Sequence, residues 1–196
     1  MIRSDHLRIR PATMLWRTCG EDRASQIVEL ALSLPLLMLF VVGIFDFSGA
    51  LSLKQKLTNA ARDGARVAAA DVANDLGSAG VPVSVNNAFQ VVDAYLKAEK
   101  INECGLSGAT PGPPAGLTWT YTAAGLGCPA IGMTLTINRG CFTSQALGTA
   151  QTDVIDTCVT IQYPYTWRFG GVSRLVGGTF IGPTTISTSA TAFNEN

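Results

Sequence analysis

The sequence has little charge and almost no histidine. Charged residues make up only 14% of the 196 residues, whereas a soluble domain carries about 25%; this deficit indicates a long apolar segment. The formal net charge is +0, so we expect no nucleic-acid binding, which depends on basic surfaces.

The single histidine, His6, lies near the N-terminus. The rest of the chain therefore lacks the residue on which most metal sites and general-base mechanisms depend, and we expect no metal, no cofactor and no enzyme.

One carboxylate pair, Asp153 and Asp156, has the composition of the acid pair in glycoside hydrolases. The sequence provides no glycine-rich phosphate loop or nucleophile elbow beside it. We therefore predict a solvated loop at these positions and do not favour catalysis.

An apolar run occupies residues 27–53, and no charge interrupts it between Leu30 and Phe45. A membrane-spanning helix needs about 20 apolar residues, so the run predicts a single span in the lipid bilayer. Residues 1–24 carry five arginines and three acids. By the positive-inside rule, this excess places the N-terminus in the cytoplasm and the C-terminal domain in the periplasm or outside the cell.

A secretory signal peptide is an alternative, because Ser48-Gly49-Ala50 is a small-x-small site. The apolar run exceeds the roughly 7–15 residues of a signal-peptide core, and acids lie within it, so we favour the spanning helix.

Helical patterns continue beyond the span. Residues 54–76 are rich in alanine and free of proline, so the first helix should end near Gly77 or Gly80. Ala60, Gly64 and Ala68 recur every four residues and predict a face for close packing of another helix. Ser84 should cap a second helix, whose apolar stripe comprises Val85, Ala88, Phe89, Val92 and Leu96.

The remaining sequence alternates in the manner of strands. Runs rich in threonine, aromatic and β-branched residues predict antiparallel strands at residues 117–123, 131–138, 156–167 and 184–193. The predicted fold is α+β, with a leader at 1–24, a transmembrane and extended helix at 25–80, and an exported domain at 81–196.

Four of the five cysteines follow the span, which suggests two disulfides in an oxidising compartment. Three pairings are compatible with the sequence. We favour Cys104–Cys128 and Cys141–Cys158, because each closes a local loop; buried free thiols are the alternative.

Glu29 lies just inside the start of the apolar run. A carboxylate at the centre of a bilayer costs about 2.5–3.5 kcal/mol by insertion scales, and less near an end. Such a residue is a functional candidate, and in a helical assembly it could pair with the N-terminal amine of a neighbouring subunit.

Pro35 removes a hydrogen bond to the carbonyl of Ala31 and predicts a kink, with Ser33 as one replacement partner. Gly43 is a possible helix-contact point.

Together these features resemble the N-terminal signature of TadE-like proteins. The resemblance covers residues 23–70 and is carried by Val28-Glu29-Leu30-Ala31, Pro35-Leu36-Leu37, Gly43, Asp46-Phe47 and Ala60-Ala61-Arg62-x-Gly64-Ala65-Arg66. Three positions depart from the family pattern, since the family usually has Phe at position 30, Glu at position 46 and often Gly at position 24.

The resemblance implies a pseudopilin of the tight-adherence (Flp) pilus system in the cytoplasmic membrane. Such proteins are cut by a prepilin peptidase, with the glutamate at the fifth mature position, which here places the cut between Ala24 and Ser25. The implied partners are other pseudopilins or membrane proteins of the pilus machine. An anchored adhesin is the alternative, with Trp119, Tyr121, Tyr163, Tyr165 and Trp167 as a binding face.

Overall fold

The computed structural model describes residues 21–74, 76–77, 80–125, 127–129, 132–147, 150–167 and 184–194. Most of the predicted leader lies outside these residues. The elements are α1 (Glu21–Ala70), α2 (Val83–Ala98), a single 3-10 turn (Leu106–Gly108), β1 (Thr118–Ala123), β2 (Met133–Leu147), β3 (Ala150–Pro164) and β4 (Thr185–Phe193). The strands form one antiparallel sheet in the order β1-β2-β3-β4. The predicted α+β class is confirmed.

The chain divides into two compact units, with the boundary in the sequence between Val41 and Val42. In the first unit, the described residues belong to α1, and nearly all of those from Ser25 to Val41 are exposed. The most apolar part of α1 has a mean hydropathy of 2.5 and none of it is buried. By length and composition, α1 is suited to a single-pass membrane anchor.

In the second unit, α1 changes from a helix exposed on all sides to one with a buried stripe. From Leu57 onward, its buried residues recur at helical spacing and are mostly alanines. They join one hydrophobic core with the predicted stripe of α2 and with the inward side chains of the sheet, which include Leu135, Ile137, Val159 and Ile161. The ring of Phe89 on α2 stacks on Tyr121 at 4.4 Å.

Two disulfides are present, with the predicted pairing. Cys104 bonds Cys128, with a Cα–Cα distance of 5.4 Å, and Cys141 bonds Cys158, with a Cα–Cα distance of 6.1 Å. The second bond crosses from β2 to β3 beside a β-bulge between Asn138 and Cys141, so it fastens two neighbouring strands where their register shifts.

Three expectations about secondary structure are wrong. α1 ends at Ala70 and not near Gly77 or Gly80. α2 begins at Val83 after Pro82, without a side-chain cap; Ser84 is fully buried inside the helix, and its hydroxyl has no hydrogen-bond partner within the described residues.

The third correction concerns the sheet, because β2 and β3 are each 15 residues long. Their pairing extends to Leu147 and Ala150, so Asp153 and Asp156 lie in a strand and not in a loop. The hydrogen bonds between β2 and β3 satisfy the backbone N–H and C=O groups of this segment. Its polar, glycine-containing sequence does not by itself predict a strand.

Candidate functional site

The N-terminal part of α1 carries the predicted processing and pairing residues. Ala24 and Ser25 both lie within α1, which begins at Glu21. Glu29 is exposed, and the neighbouring apolar side chains Ile27, Val28 and Leu30 are each more than half exposed. The segment therefore presents one carboxylate on a mostly apolar surface, four residues after Ser25 and on the same side of the helix.

Pro35 lies in the interior of α1 and is exposed. The hydroxyl of Ser33 donates to the carbonyl oxygen of Leu30 at 3.2 Å. The structure thus pairs Ser33 with Leu30 rather than with Ala31, the carbonyl that proline leaves without its helical donor.

Gly43 and Asp46 lie at the start of the second unit. Gly43 is half-buried, and Asp46 is only 6% exposed. The hydroxyl of Tyr165, just after β3, lies 3.1 Å from Oδ1 of Asp46 and 3.2 Å from its carbonyl oxygen. The second acid of the signature is therefore held by a side chain from the segment that follows β3, a partner that sequence spacing does not indicate.

The small-residue face is covered by the chain itself. Ala60, Gly64 and Ala68 are buried. A Cβ added to Gly64 would lie 2.7 Å from Cγ2 of Val92 and 3.5 Å from the carbonyl oxygen of Ala88, both on α2. A helix does come close to this face, as the spacing predicts, but it is α2 of the same domain. The face is therefore not available to another subunit in this structure.

The two arginines of the same motif point away from the core. Arg62 and Arg66 are exposed, one helical turn apart, and line a shallow groove with Thr191 and Phe193 of β4. The motif Ala-Ala-Arg-x-Gly-Ala-Arg thus divides by function. Its small residues allow close packing inside the domain, and its arginines carry charge on the surface.

Sequence reasoning missed Arg139, which is 1% exposed at the bulge of β2. Its Nη1 donates to the carbonyl oxygen of Ala68 and to Thr157 Oγ1 at 2.7 Å, and its Nη2 donates to the carbonyl oxygen of Asp71 at 3.0 Å. A cation at a helix C-terminus satisfies carbonyls that lack helical donors and complements the helix dipole. The only sequence signal is an Arg-Gly pair that interrupts an alternating strand.

The aromatic residues of the alternative adhesin face are mostly internal. Trp119, Tyr121 and Tyr163 are buried. Burial raises the pKa of Tyr121 and of Tyr163. The hydroxyl of Tyr163 donates to the carbonyl oxygen of Asn102 at 2.9 Å. Only Tyr165 and Trp167 are half-buried, so these five residues do not form one open binding surface.

The described residues offer no group of three His, Cys, Asp or Glu side chains that could hold a metal ion. Asp156 is 1% exposed in β3, which differs from the solvated position expected of it.

Comparison with protein families supports the resemblance. Residues 24–66 match the family model described as TadE-like protein. No curated protein and no solved structure matches the chain. The matched region contains the exposed apolar part of α1, Glu29, Pro35 and the Ala-Ala-Arg-x-Gly-Ala-Arg motif, and it ends within the part of α1 that packs against α2. Residues 24–66, most of helix α1, are therefore a TadE-like segment.

Proposed function

We propose that this protein is a minor pilin or pseudopilin that takes part in assembly of tight-adherence (Flp-type) pili. The TadE-like match over residues 24–66 is the observation that carries the proposal. In this proposal α1 crosses the cytoplasmic membrane with its N-terminus in the cytoplasm, and the exported unit, residues 81–196, lies in the periplasm or outside the cell. The two disulfides support an oxidising location for that unit.

A prepilin peptidase would cut between Ala24 and Ser25, leaving a new amine at Ser25. Glu29 would then pair with the corresponding amine of a neighbouring subunit. The physical reason is the cost of an unpaired carboxylate in the membrane. A partner cation reduces this cost only at one axial offset between the helices, so the pair would set the register of assembly.

The contacts with other pseudopilins or with membrane proteins of the pilus machine would use the exposed part of α1. The face of Ala60, Gly64 and Ala68 is already occupied by α2. Residues 25–41, by contrast, are nearly all exposed and are mostly apolar. In lipid, helices associate through packing and polar pairing rather than through the hydrophobic effect, and this segment offers Glu29 for such pairing.

The proposed role is structural and not enzymatic. It requires no reacting group, metal or cofactor, because subunit pairing and helix packing account for the residues of the signature. Because Trp119, Tyr121 and Tyr163 are buried, the adhesin alternative lacks a continuous exposed aromatic surface.

A complementation experiment tests the proposal. A deletion strain should lose its pili, and wild-type protein should restore them. Glu29→Ala and the isosteric Glu29→Gln should be exported at normal levels but fail to restore pili, whereas Glu29→Asp, which keeps the carboxylate, should restore them in part.

The mass of each variant separates pairing from processing. Variants that are cut at Ala24–Ser25 yet do not support pili would locate the defect in pairing. Normal piliation with Glu29→Ala would contradict the pairing role. Normal piliation in the deletion strain, together with lost surface binding, would favour an adhesin.

A further inference from the structure

The base of the second unit has a composition typical of a membrane interface. At the start of this unit, Ile44, Phe45 and Phe47 are exposed, with Phe45 at 74%. From Ala50 onward α1 has one buried side. The part of α1 that is exposed and apolar around its whole circumference therefore ends within about one helical turn of Asp46.

Two aromatic residues in the segment that follows β3 lie near this part of α1. Tyr165 donates its hydroxyl to the backbone and side chain of Asp46. The ring of Trp167 meets the ring of Tyr165 edge to face, with centroids 5.0 Å apart and an interplanar angle of 80°. Both side chains are half-buried, so each keeps part of its surface accessible.

A groove of about 520 Å³ opens between α1 and the neighbouring residues Tyr165 and Thr166, next to Trp167 in the chain. Its lining combines apolar and polar residues: Val42, Phe45, Asp46, Gly49, Leu53, Tyr165 and Thr166. Val42 and Phe45 continue the exposed apolar surface of the helix, and Asp46 and Thr166 supply polar groups. Such a mixed lining suits the boundary between hydrocarbon and headgroups.

We propose that Tyr165 and Trp167, with the groove beside Asp46, form a lipid-contact surface that seats the exported unit on the outer face of the bilayer. The occupant is the interfacial region of a phospholipid. From Ile27 to Asp46 there are 20 residues, which give about 30 Å of helix, the thickness of the hydrocarbon core. Trp and Tyr concentrate at this depth, where a ring can be apolar and its polar end hydrated.

The inference rests on α1 crossing a bilayer and not on the role in pilus assembly. It assigns the boundary of the span to Asp46, whereas the apolar run by itself extends to Leu53. The alternative occupant is a helix of another protein, which would cover the same groove and exclude lipid from Trp167.

Tryptophan quenching in bilayers tests the inference. The full chain contains Trp16, Trp119 and Trp167, and a Trp16→Phe background leaves one tryptophan 3% exposed in the core and one at the proposed surface. The protein would be reconstituted into phosphatidylcholine vesicles that carry bromine either near the headgroup or near the chain end. Trp16→Phe should lose the Trp167 share of its emission, more strongly with bromine near the headgroup. The double variant Trp16→Phe/Trp167→Phe should lose none.

A matched tyrosine pair tests the anchoring contact. Tyr165→Phe removes the hydroxyl that reaches Asp46, and Tyr163→Phe removes a hydroxyl on the same chain segment that reaches Asn102. In the Trp16→Phe background, the first change should weaken quenching of Trp167 and the second should leave it unchanged.

The outcomes distinguish the proposals. Protein that floats with the vesicles but shows no quenching of Trp167 would overturn the lipid-contact surface and leave the pilus role standing. Equal quenching of the Tyr165→Phe and Tyr163→Phe variants would overturn the contribution of the Asp46 contact. Protein that does not float would contradict the membrane anchor on which both proposals rest.

Discussion

Substitution of Gly64 tests the packing of α1 inside the domain. At this glycine the backbone of α1 lies close to Ala88 and Val92 of α2. A Cβ there would lie 2.7 Å from Cγ2 of Val92, 3.5 Å from the carbonyl oxygen of Ala88 and 3.8 Å from Cγ1 of Val159. The first distance is shorter than a normal carbon–carbon contact of about 3.5–4.0 Å, and a β-branched valine has little freedom to turn away.

Two effects of opposite sign decide the result for Gly64→Ala. Alanine is favoured over glycine in a helix interior by about 1 kcal/mol. Overpacking a tight core costs about 1–3 kcal/mol. Because the obstructing atom belongs to a buried, rigid side chain, we expect a net loss of up to about 2 kcal/mol in the free energy of unfolding. For a chain of this size each kcal/mol shifts Tm by about 2–4 °C.

Gly49→Ala is the matched control on the same helix. A Cβ at Gly49 would lie 3.6 Å from the hydroxyl oxygen of Tyr165, an ordinary contact. The helix-propensity gain of about 1 kcal/mol should therefore appear without the packing cost. Unfolding of the full-length protein in detergent micelles would measure both variants, in a Trp16→Phe/Trp167→Phe background where fluorescence reports the buried Trp119 alone.

Val92→Ala relieves the proposed clash. Removing its two methyl groups should cost about 1.6 kcal/mol in wild type. In the Gly64→Ala background it should cost less, because it makes room for the new methyl group. Costs that add within about 0.5 kcal/mol would show that the two sites do not interact. That result, or a stability gain in Gly64→Ala equal to that of Gly49→Ala, would refute the packing argument.

Two further predictions concern the hydrogen bonds of Arg139 and the disulfide between β2 and β3. Arg139→Met should lower the free energy of unfolding by about 2–4 kcal/mol, because it leaves buried carbonyl groups without donors. Amide hydrogen exchange should then rise selectively in the last turn of α1. A uniform increase across the domain would argue against a capping role. Replacing the two cysteines of the β2–β3 disulfide by serine should cost about 3 kcal/mol, as expected for a loop of roughly 15 residues. Because the variant keeps Cys104–Cys128, reductant should lower its denaturation midpoint less than that of the wild type, and equal shifts would contradict a stabilising role for the β2–β3 bond.

Much of the fold follows from local patterns. The stripe of α2 is readable because apolar residues at helical spacing bury one face, and the disulfide pairing was predicted from the proximity of each pair along the chain. Sequence periodicity also predicted close approach of a helix at Gly64. It could not identify that helix as α2, because small-residue spacing specifies a distance of approach and not a partner.

Tertiary contacts accompany two of the misplaced boundaries. α1 ends at Ala70 although its sequence permits a longer helix, and at this end the side chain of Arg139 from β2 donates to the carbonyl oxygens of Ala68 and Asp71. Likewise, the β2–β3 hairpin extends beyond its apolar segments, with Phe142 opposite Ile155 and both exposed. The hydrogen-bonded ladder, rather than burial of a face, defines this part of the hairpin.

The mass of the protein isolated from native membranes, with and without reductant, tests the account most directly. A processed, exported anchor predicts membrane-bound protein that begins at Ser25 and gains four hydrogens on reduction, two for each disulfide. Protein recovered from the cytosol with Met1 retained and with no mass gain on reduction would contradict it.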